Sequence, residues 1–408
     1  MHPKKKIKLF ITGKKLSKVF EIKGFINIPY KQSTDIELTI KDLREKLIME
    51  IEQSCGKKQI ELTEVLKYLS LDKLHHSEGR NFSFNKESFS VSEIEKTKNM
   101  PDSMQIKYLL YRYRFNHYPR HGIVPDFPIV LCVEPASYCN LRCIMCFQSD
   151  KSFTNDKFQR GVMDLGLYKK IIDEAAYNDL CSIVLASRGE PTLNKNLPEM
   201  ISYARSKGIL DIKVNTNATT LNPELSISLL KAFGEEGINT LVFSVDSAEK
   251  EEFEDVRKNA DFDQIVENIR TFNKIRQNEF PRSALRTRVS MVIINKFQQV
   301  EKATNFWSSM VDEFASHHAN DRLYIYNNPS YNKTRWCSQL FERLYIWFDG
   351  TVNTCDEDYK SVLSPGNIRN SSIKEIWSNK KMQRYRELHK KAEEIDLFPC
   401  DRCYRVNG

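Results

Sequence analysis

The sequence predicts an α/β fold: a partial (β/α)6 TIM-like barrel with a small N-terminal α/β module and a C-terminal domain built around cysteines. Three observations predict it. From Phe127 to Tyr326, short apolar runs alternate with amphipathic runs of helical period, which is the pattern of repeated βα units and a parallel sheet. A loop bearing Cys139, Cys143 and Cys146 follows the first apolar run, and short polar motifs end the later ones, where a parallel barrel places its chemistry. Four further thiols, Cys337, Cys355, Cys400 and Cys403, gather toward the C-terminus.

Length and composition bound the rest. A chain of 408 residues accommodates two or three domains, and 40% apolar with 28% charged residues is globular. The net charge of +8 is uneven: residues 1–130 hold 24 Lys and Arg against 16 Asp and Glu, and the remainder balances at 38 against 38. That basic excess admits an anionic substrate, but its density is that of a solvated basic face and argues against a nucleic-acid or membrane partner. The start has no apolar core of signal-peptide length, and no run of 18 apolar residues occurs, so a cytoplasmic location is expected. In a reducing compartment, ten Cys are metal ligands or free thiols sooner than disulfides.

In order, residues 1–105 read as a separate α/β module of unknown role, with strands at Ile7 to Ile11 and Val19 to Ile28 and helices at Thr39 to Gln53 and Leu62 to Leu71. The polar stretch His76 to Lys98 reads as a linker. The run Tyr108 to Arg120 is best explained as a helix packing Tyr and Phe against the next domain, although it has the residues to stack on bases or sugars. His117 and His121 have no partner spacing. Cys55, Cys132 and Cys181 lie outside any ligand spacing and read as ordinary buried residues. The barrel, residues 125–328, has candidate strands Ile129 to Val133, Ser182 to Ala186, Ile212 to Asn215, Thr240 to Val245, Thr287 to Ile294 and Leu323 to Tyr326; the last domain takes residues 329–408.

The C-x3-C-x2-C loop carries the chemistry. Three thiolates can wrap one face of an iron–sulfur cube and leave one iron open to a substrate or cofactor. Structural zinc asks for four closed ligands, so it is the weaker reading of a triplet. The C-terminal four thiols make a closed site, which on residues alone serves a zinc ion or an iron–sulfur cluster equally well.

The triplet resembles the signature of the radical S-adenosylmethionine (radical SAM) superfamily, and the later motifs match that family in order. Gly189-Glu190-Pro191 resembles its Gly-Gly-Glu-Pro loop, with Arg188 in place of the first Gly. Asn215-Thr216-Asn217 resembles its Thr-Asn-Gly or Thr-Asn-Ala segment. Ser244 and Asp246 stand as in its Ser-Ile-Asp, and Arg257 lies in a segment similar to its Arg-x-Gly-Ala-Asp. The residue before the last Cys, often aromatic in the family, is Met145, and Phe147 follows it. The resemblance implies that SAM chelates the open iron, that Gly189, Glu190, Pro191, Asn215, Asn217, Ser244, Asp246, Arg257 and Phe147 surround it, and that a 5′-deoxyadenosyl radical results. It covers about residues 125–408.

Cys337-x12-Gly350-x4-Cys355 followed by Cys400-x2-Cys403 resembles the twitch or truncated SPASM domain of that family, which holds one auxiliary [4Fe–4S] cluster, and is most similar to the deoxy-scyllo-inosamine dehydrogenase type. The expected cofactors are therefore SAM and two [4Fe–4S] clusters. The expected reaction is oxidation of an alcohol on a sugar, cyclitol or nucleotide sugar, with the auxiliary cluster taking the second electron and a flavodoxin- or ferredoxin-type protein supplying the first. Glu357 and Asp358 are candidate bases, and Arg322 is a candidate substrate anchor. Two rivals use the same parts: an epimerase with Cys181 or Cys132 as hydrogen donor, and a peptide-modifying enzyme whose N-terminal module holds a leader.

Overall fold

The computed structural model describes residues 36–70, 73–74, 88–98, 100–319, 323, 325–329, 336–391 and 396–406. The expected strands at Ile7 to Ile11 and Val19 to Ile28, and the candidate anchor Arg322, lie outside these.

Four helices open the described chain: α1 (Ile36–Gln53), α2 (Gly56–Tyr68), α3 (Val91–Glu95) and α4 (Asp102–His117). Ile40, Leu43 and Leu47 of α1 are buried at helical spacing, which makes one apolar stripe. The short α3 forms because Ser90 and Glu93 close a capping box, so this part of the stretch read as a linker is ordered. The described part of the module is helical and is not separate from the barrel. Tyr108, Leu109, Tyr111 and Tyr113 of α4 share a core with Val130, Cys132, Cys181, Leu210, Tyr345 and Trp347. The run Tyr108 to Arg120 therefore packs as a helix against the next domain, as expected.

The barrel strands are β1 (Val130–Val133), β3 (Ser182–Leu185), β4 (Asp211–Thr216), β5 (Asn239–Ser244), β7 (Leu285–Ile293) and β8 (Glu313–His318), all paired parallel in that order. Two short strands, β2 (Arg142–Cys143) and β6 (Arg257–Lys258), pair separately and antiparallel. Alternation along the strands divides the sheet's faces. Leu131, Ile183, Val214, Phe243 and Val289 face a core built with α6 (Leu165–Tyr177), α7 (Leu197–Ser206), α8 (Pro223–Phe233) and α10 (Phe262–Glu279). Residues one position away face the side covered by α1 to α4.

The sixth strand differs from expectation. It is Glu313–His318, whereas Ile325 and Tyr326 lie in a turn. The reason is packing: Ile325 is buried with Phe147, Tyr359 and Cys403, not in the sheet. Glu313 instead pairs with Arg286 and Arg288 on the neighbouring strand, which fixes β8 through charge that an apolar-run criterion misses.

The C-terminal domain continues the same sheet. β9 (Arg343–Ile346) pairs parallel to β1, and β10 (Thr351–Asn353) and β11 (Gly366–Asn367) follow antiparallel, for nine strands in all. Gly350 turns the β9–β10 hairpin at φ 90°, a region that favours glycine. Helices α12 (Ile373–Ser378) and α13 (Lys380–Lys390) then pack back, with the Trp377 indole N–H donating to the carbonyl of Pro125 at 2.7 Å. Among the described residues, no helix is long and apolar enough to cross a membrane.

Candidate radical and auxiliary cluster sites

The cluster loop follows β1 and is threaded over the loop that follows β3. A Cβ at Gly189 would lie 2.3 Å from the carbonyl oxygens of both Ala136 and Tyr138, so only glycine lets the two backbones approach. The Glu190 N–H donates to the Tyr138 carbonyl at 2.7 Å, and Gln148 Nε2 donates to the carbonyls of Ser137 at 2.8 Å and Arg188 at 2.5 Å. These bonds fix the thiol-bearing backbone.

Glu190 ties this layer to the end of β4. Its carboxylate accepts from the Thr192 and Thr216 hydroxyls, each at 2.7 Å, and from the Asn217 backbone N–H at 2.7 Å. Burial raises its pKa, and these donors oppose the rise. Pro191 opens the turn that Glu190 caps. Asn217 Nδ2 donates to Asn140 Oδ1 at 2.9 Å and lies 3.8 Å from Cys139 Sγ. Asn215 Oδ1 and Ser187 Oγ are buried without a hydrogen-bond partner among the described residues, so this corner holds unspent acceptors.

On the other side of the triplet, Cys143 pairs with Arg257 through β2 and β6, and Arg257 Nη1 lies 3.9 Å from Cys143 Sγ. Asp246 holds that guanidinium at 2.7 Å and accepts the Val292 N–H with its other oxygen at 2.8 Å. Ser244 ends β5 opposite Ser290. The structure thus brings Gly189, Glu190, Asn217, Asp246, Arg257 and Phe147 into contact with the three-Cys loop or its direct supports.

The second site is more enclosed. Cys337, Cys355, Cys400 and Cys403 lie close enough for their charges to interact, and burial pushes every one of these thiols up. The Cys337 N–H donates to Nδ1 of buried His389 at 3.2 Å, and burial holds that imidazole down at about 4, hence neutral at ordinary pH.

The candidate bases are engaged internally. Glu357 accepts from the Tyr404 hydroxyl at 2.8 Å and Arg405 Nη2 at 3.0 Å. Asp358 accepts from the Tyr326 hydroxyl and the N–H groups of Val362 and Leu363 at 2.8, 3.0 and 2.8 Å, and burial raises it to about 6. Asp356 instead meets the Tyr345 hydroxyl at 3.2 Å, on the sheet face covered by the N-terminal helices. Cys132 and Cys181 are buried as expected, but Cys55 is exposed.

Both donor sets fit iron–sulfur clusters. Each is sulfur only, and Arg257 and Arg405 supply positive charge beside them that favours thiolates. Without metal, burial pushes Cys139 to about 11 and Cys143 to about 12, so binding releases protons. Among the described residues, no three His, Cys, Asp or Glu converge as a single-ion site would require.

Sequence reasoning passed over Glu134, Tyr359 and His389, and met Arg188 only as a departure from a glycine motif. A charged residue immediately after an apolar strand, as Glu134 is, was the available sign for the first of them.

Comparison with known proteins agrees with this geometry. Residues 133–295 match the radical SAM superfamily, and residues 337–404 match the iron–sulfur cluster-binding SPASM domain. A tungsten-containing aldehyde ferredoxin oxidoreductase cofactor-modifying protein from Pyrococcus furiosus is 35% identical over 28% of this chain and 30% of its own. A GTP 3′,8-cyclase from Syntrophomonas wolfei is 27% identical over 40% and 46% respectively. The matched stretches thus span less than half the length of these relatives. Among solved structures, SuiB of Streptococcus suis bound to precursor peptide SuiA aligns at TM-score 0.52 and 15% identity over 84% of this chain and 82% of that one, a likeness of fold.

Proposed function

From a chain that carries a radical SAM domain and a SPASM iron–sulfur domain, with SAM and two clusters as cofactors, we propose a two-electron oxidation of an alcohol to a ketone. The substrate class is a sugar, cyclitol or nucleotide sugar. What supports this reading is the set of four Cys in the SPASM match, whose charges interact, next to the three-Cys loop, with Cys403 and Cys146 in one side-chain cluster. When bound, SAM and the reduced first cluster supply hydrogen-atom abstraction from an unactivated carbon.

The balance then requires an acceptor. An alcohol carbon that loses a hydrogen atom becomes a ketone only after losing the hydroxyl proton and one more electron. A closed cluster, with no iron open to substrate, suits the electron. A flavodoxin- or ferredoxin-type donor is the partner proposed for the first cluster. For the proton we keep Glu357 and Asp358, which follow Cys355, as the candidate bases; both accept internal hydrogen bonds, as Asp356 does from Tyr345. Gly189, Glu190, Asn215, Asn217, Ser244, Asp246 and Arg257 orient SAM, with Phe147 packing beside it; Asn215 Oδ1 has the unspent acceptor that a ribose hydroxyl needs.

Stoichiometry tests the reading. Anaerobic enzyme with substrate should give one ketone per SAM cleaved. A second reading, epimerisation, draws on Cys181 or Cys132, both buried on the sheet face that α1 to α4 cover. Product mass unchanged in ordinary water, and raised by one deuterium in heavy water, would replace the first reading by the second.

A further inference from the structure

We propose that Arg188, which stands where the family's loop has glycine, is a positioning residue that holds the auxiliary domain in register against the radical-cluster loop. It does so by fixing the stack of Tyr359 on Phe147. The proposal rests on the two-cluster assignment and is independent of which substrate is oxidised.

Arg188 and Glu134 are both essentially inaccessible to solvent, at 1% and 0% side-chain exposure. The pair is bidentate: Nε and Nη2 of Arg188 each lie 2.8 Å from a Glu134 oxygen. Nη1 continues to Gln159 Oε1 at 2.6 Å and to the Tyr359 carbonyl at 3.1 Å. One guanidinium therefore ties the end of β1, the segment after the cluster loop and the auxiliary domain. Its faces are used as well, lying 4.3 Å from the Trp347 ring centroid and 5.3 Å from that of Phe153. Only arginine's flat, five-donor fork does all of this, and lysine offers a single point charge.

The carbonyl that Arg188 holds belongs to the residue that bridges the sites. The Tyr359 ring stacks on Phe147, next to Cys146, at 4.8 Å and 18°. It meets Tyr326 edge-on at 5.1 Å, and Tyr326 belongs to the cluster of side chains that contains Cys403. The Tyr359 hydroxyl donates to Asp150 Oδ2 at 2.8 Å, and Lys360 meets the same carboxylate at 2.9 Å. A buried ion pair costs desolvation and is weak support for stability by itself, so one that also orients a second domain is better explained by geometry than by energy.

The test uses protein loaded with both clusters, and its readout is the spin–spin interaction between the two reduced clusters in the EPR spectrum. That signature depends on their separation and not on turnover. Arg188→Met/Glu134→Met, which removes the charge pair together, should keep wild-type circular dichroism and SAM affinity while the interaction weakens and its splitting narrows. Arg188→Lys should recover it only in part. Tyr359→Leu, which keeps the ion pair, should give the same weakening and decides the question if the double variant does not fold. A wild-type spin–spin signature in a folded double variant, or in Tyr359→Leu, overturns the proposal.

Discussion

The two thiol sites differ in what surrounds their sulfurs. Around the three-Cys loop the supports are polar: glycine-permitted backbone contact, a carboxylate with several donors, and an Asp–Arg pair against Cys143. Cys139 and Cys146 are partly exposed, as are Cys337, Cys355 and Cys400. Around the four-Cys site His389 and Arg405 are the polar supports, and burial pushes every thiol up. The difference follows from the tasks: a site that admits a polar cofactor needs hydrogen-bonding walls, whereas a site that only holds charge is served by closure.

The largest effect should break this contrast outright. Replacing Cys139, Cys143 and Cys146 together with Ala should abolish SAM cleavage, lowering iron content from about eight to about four atoms by the two-cube count. Any 5′-deoxyadenosine above background would refute the open-iron assignment. The opposite lesion, Cys400→Ala with Cys403→Ala, should keep SAM cleavage while 5′-deoxyadenosine forms in excess of ketone, because the second electron loses its acceptor. Because a closed four-thiolate site can be needed for folding, circular dichroism and SAM affinity are compared first. One-for-one ketone in a folded variant would make the second cluster structural.

A smaller effect separates burial from bonding in the closed site. Asp358 is raised by burial from 3.8 to about 6. The folded protein then binds more protons than the unfolded chain between those values, so the residue's contribution falls as pH rises through the window. His389, lowered from 6.5 to about 4, has the opposite slope: its stabilising contribution is lost as pH falls from 6.5 toward 4. The Asp358→Asn apoprotein should therefore gain stability relative to wild type as pH rises from 4 to 6.5, by on the order of 3 kcal/mol. Urea unfolding across that range measures it, and parallel curves would show that the Tyr326, Val362 and Leu363 bonds outweigh burial.

How much of this was legible varies with range. The strands β1, β3 and β5 show as apolar runs because most of their residues are buried, β4 and β7 show by alternation, and the Cys spacings are local, so all could be read directly. β8 could not, since Glu313 is placed by arginines on its neighbour. Glu357 and Asp358 were sensible candidates by position, but Arg405, Tyr404 and Tyr326, distant in sequence or in a turn, engage their oxygens. Arg188 looked like a departure from a glycine motif, and its partners lie 54 and 171 residues away.

The smallest expected effect compares one glycine from each site. At Gly189 the backbone is ordinary but the space is not: a methyl would meet two backbone carbonyls at 2.3 Å, and backbone cannot swing aside as a side chain can. At Gly350 the nearest atom is 2.9 Å away at the end of the Asn367 side chain, but φ is 90°. Both alanine variants should lose about 1–3 kcal/mol, the first through overpacking and the second through backbone strain. Their consequences should nevertheless part. Gly189→Ala displaces the cluster loop and should weaken SAM binding while leaving the auxiliary cluster intact. Gly350→Ala strains the β9–β10 hairpin that carries Cys355 and should weaken retention of the auxiliary cluster while SAM affinity stays. Iron content per cluster and SAM affinity, measured on both variants, check this. If Gly350→Ala also lost SAM binding, the two sites would be one mechanical unit, and the contrast between polar walls and burial would fail.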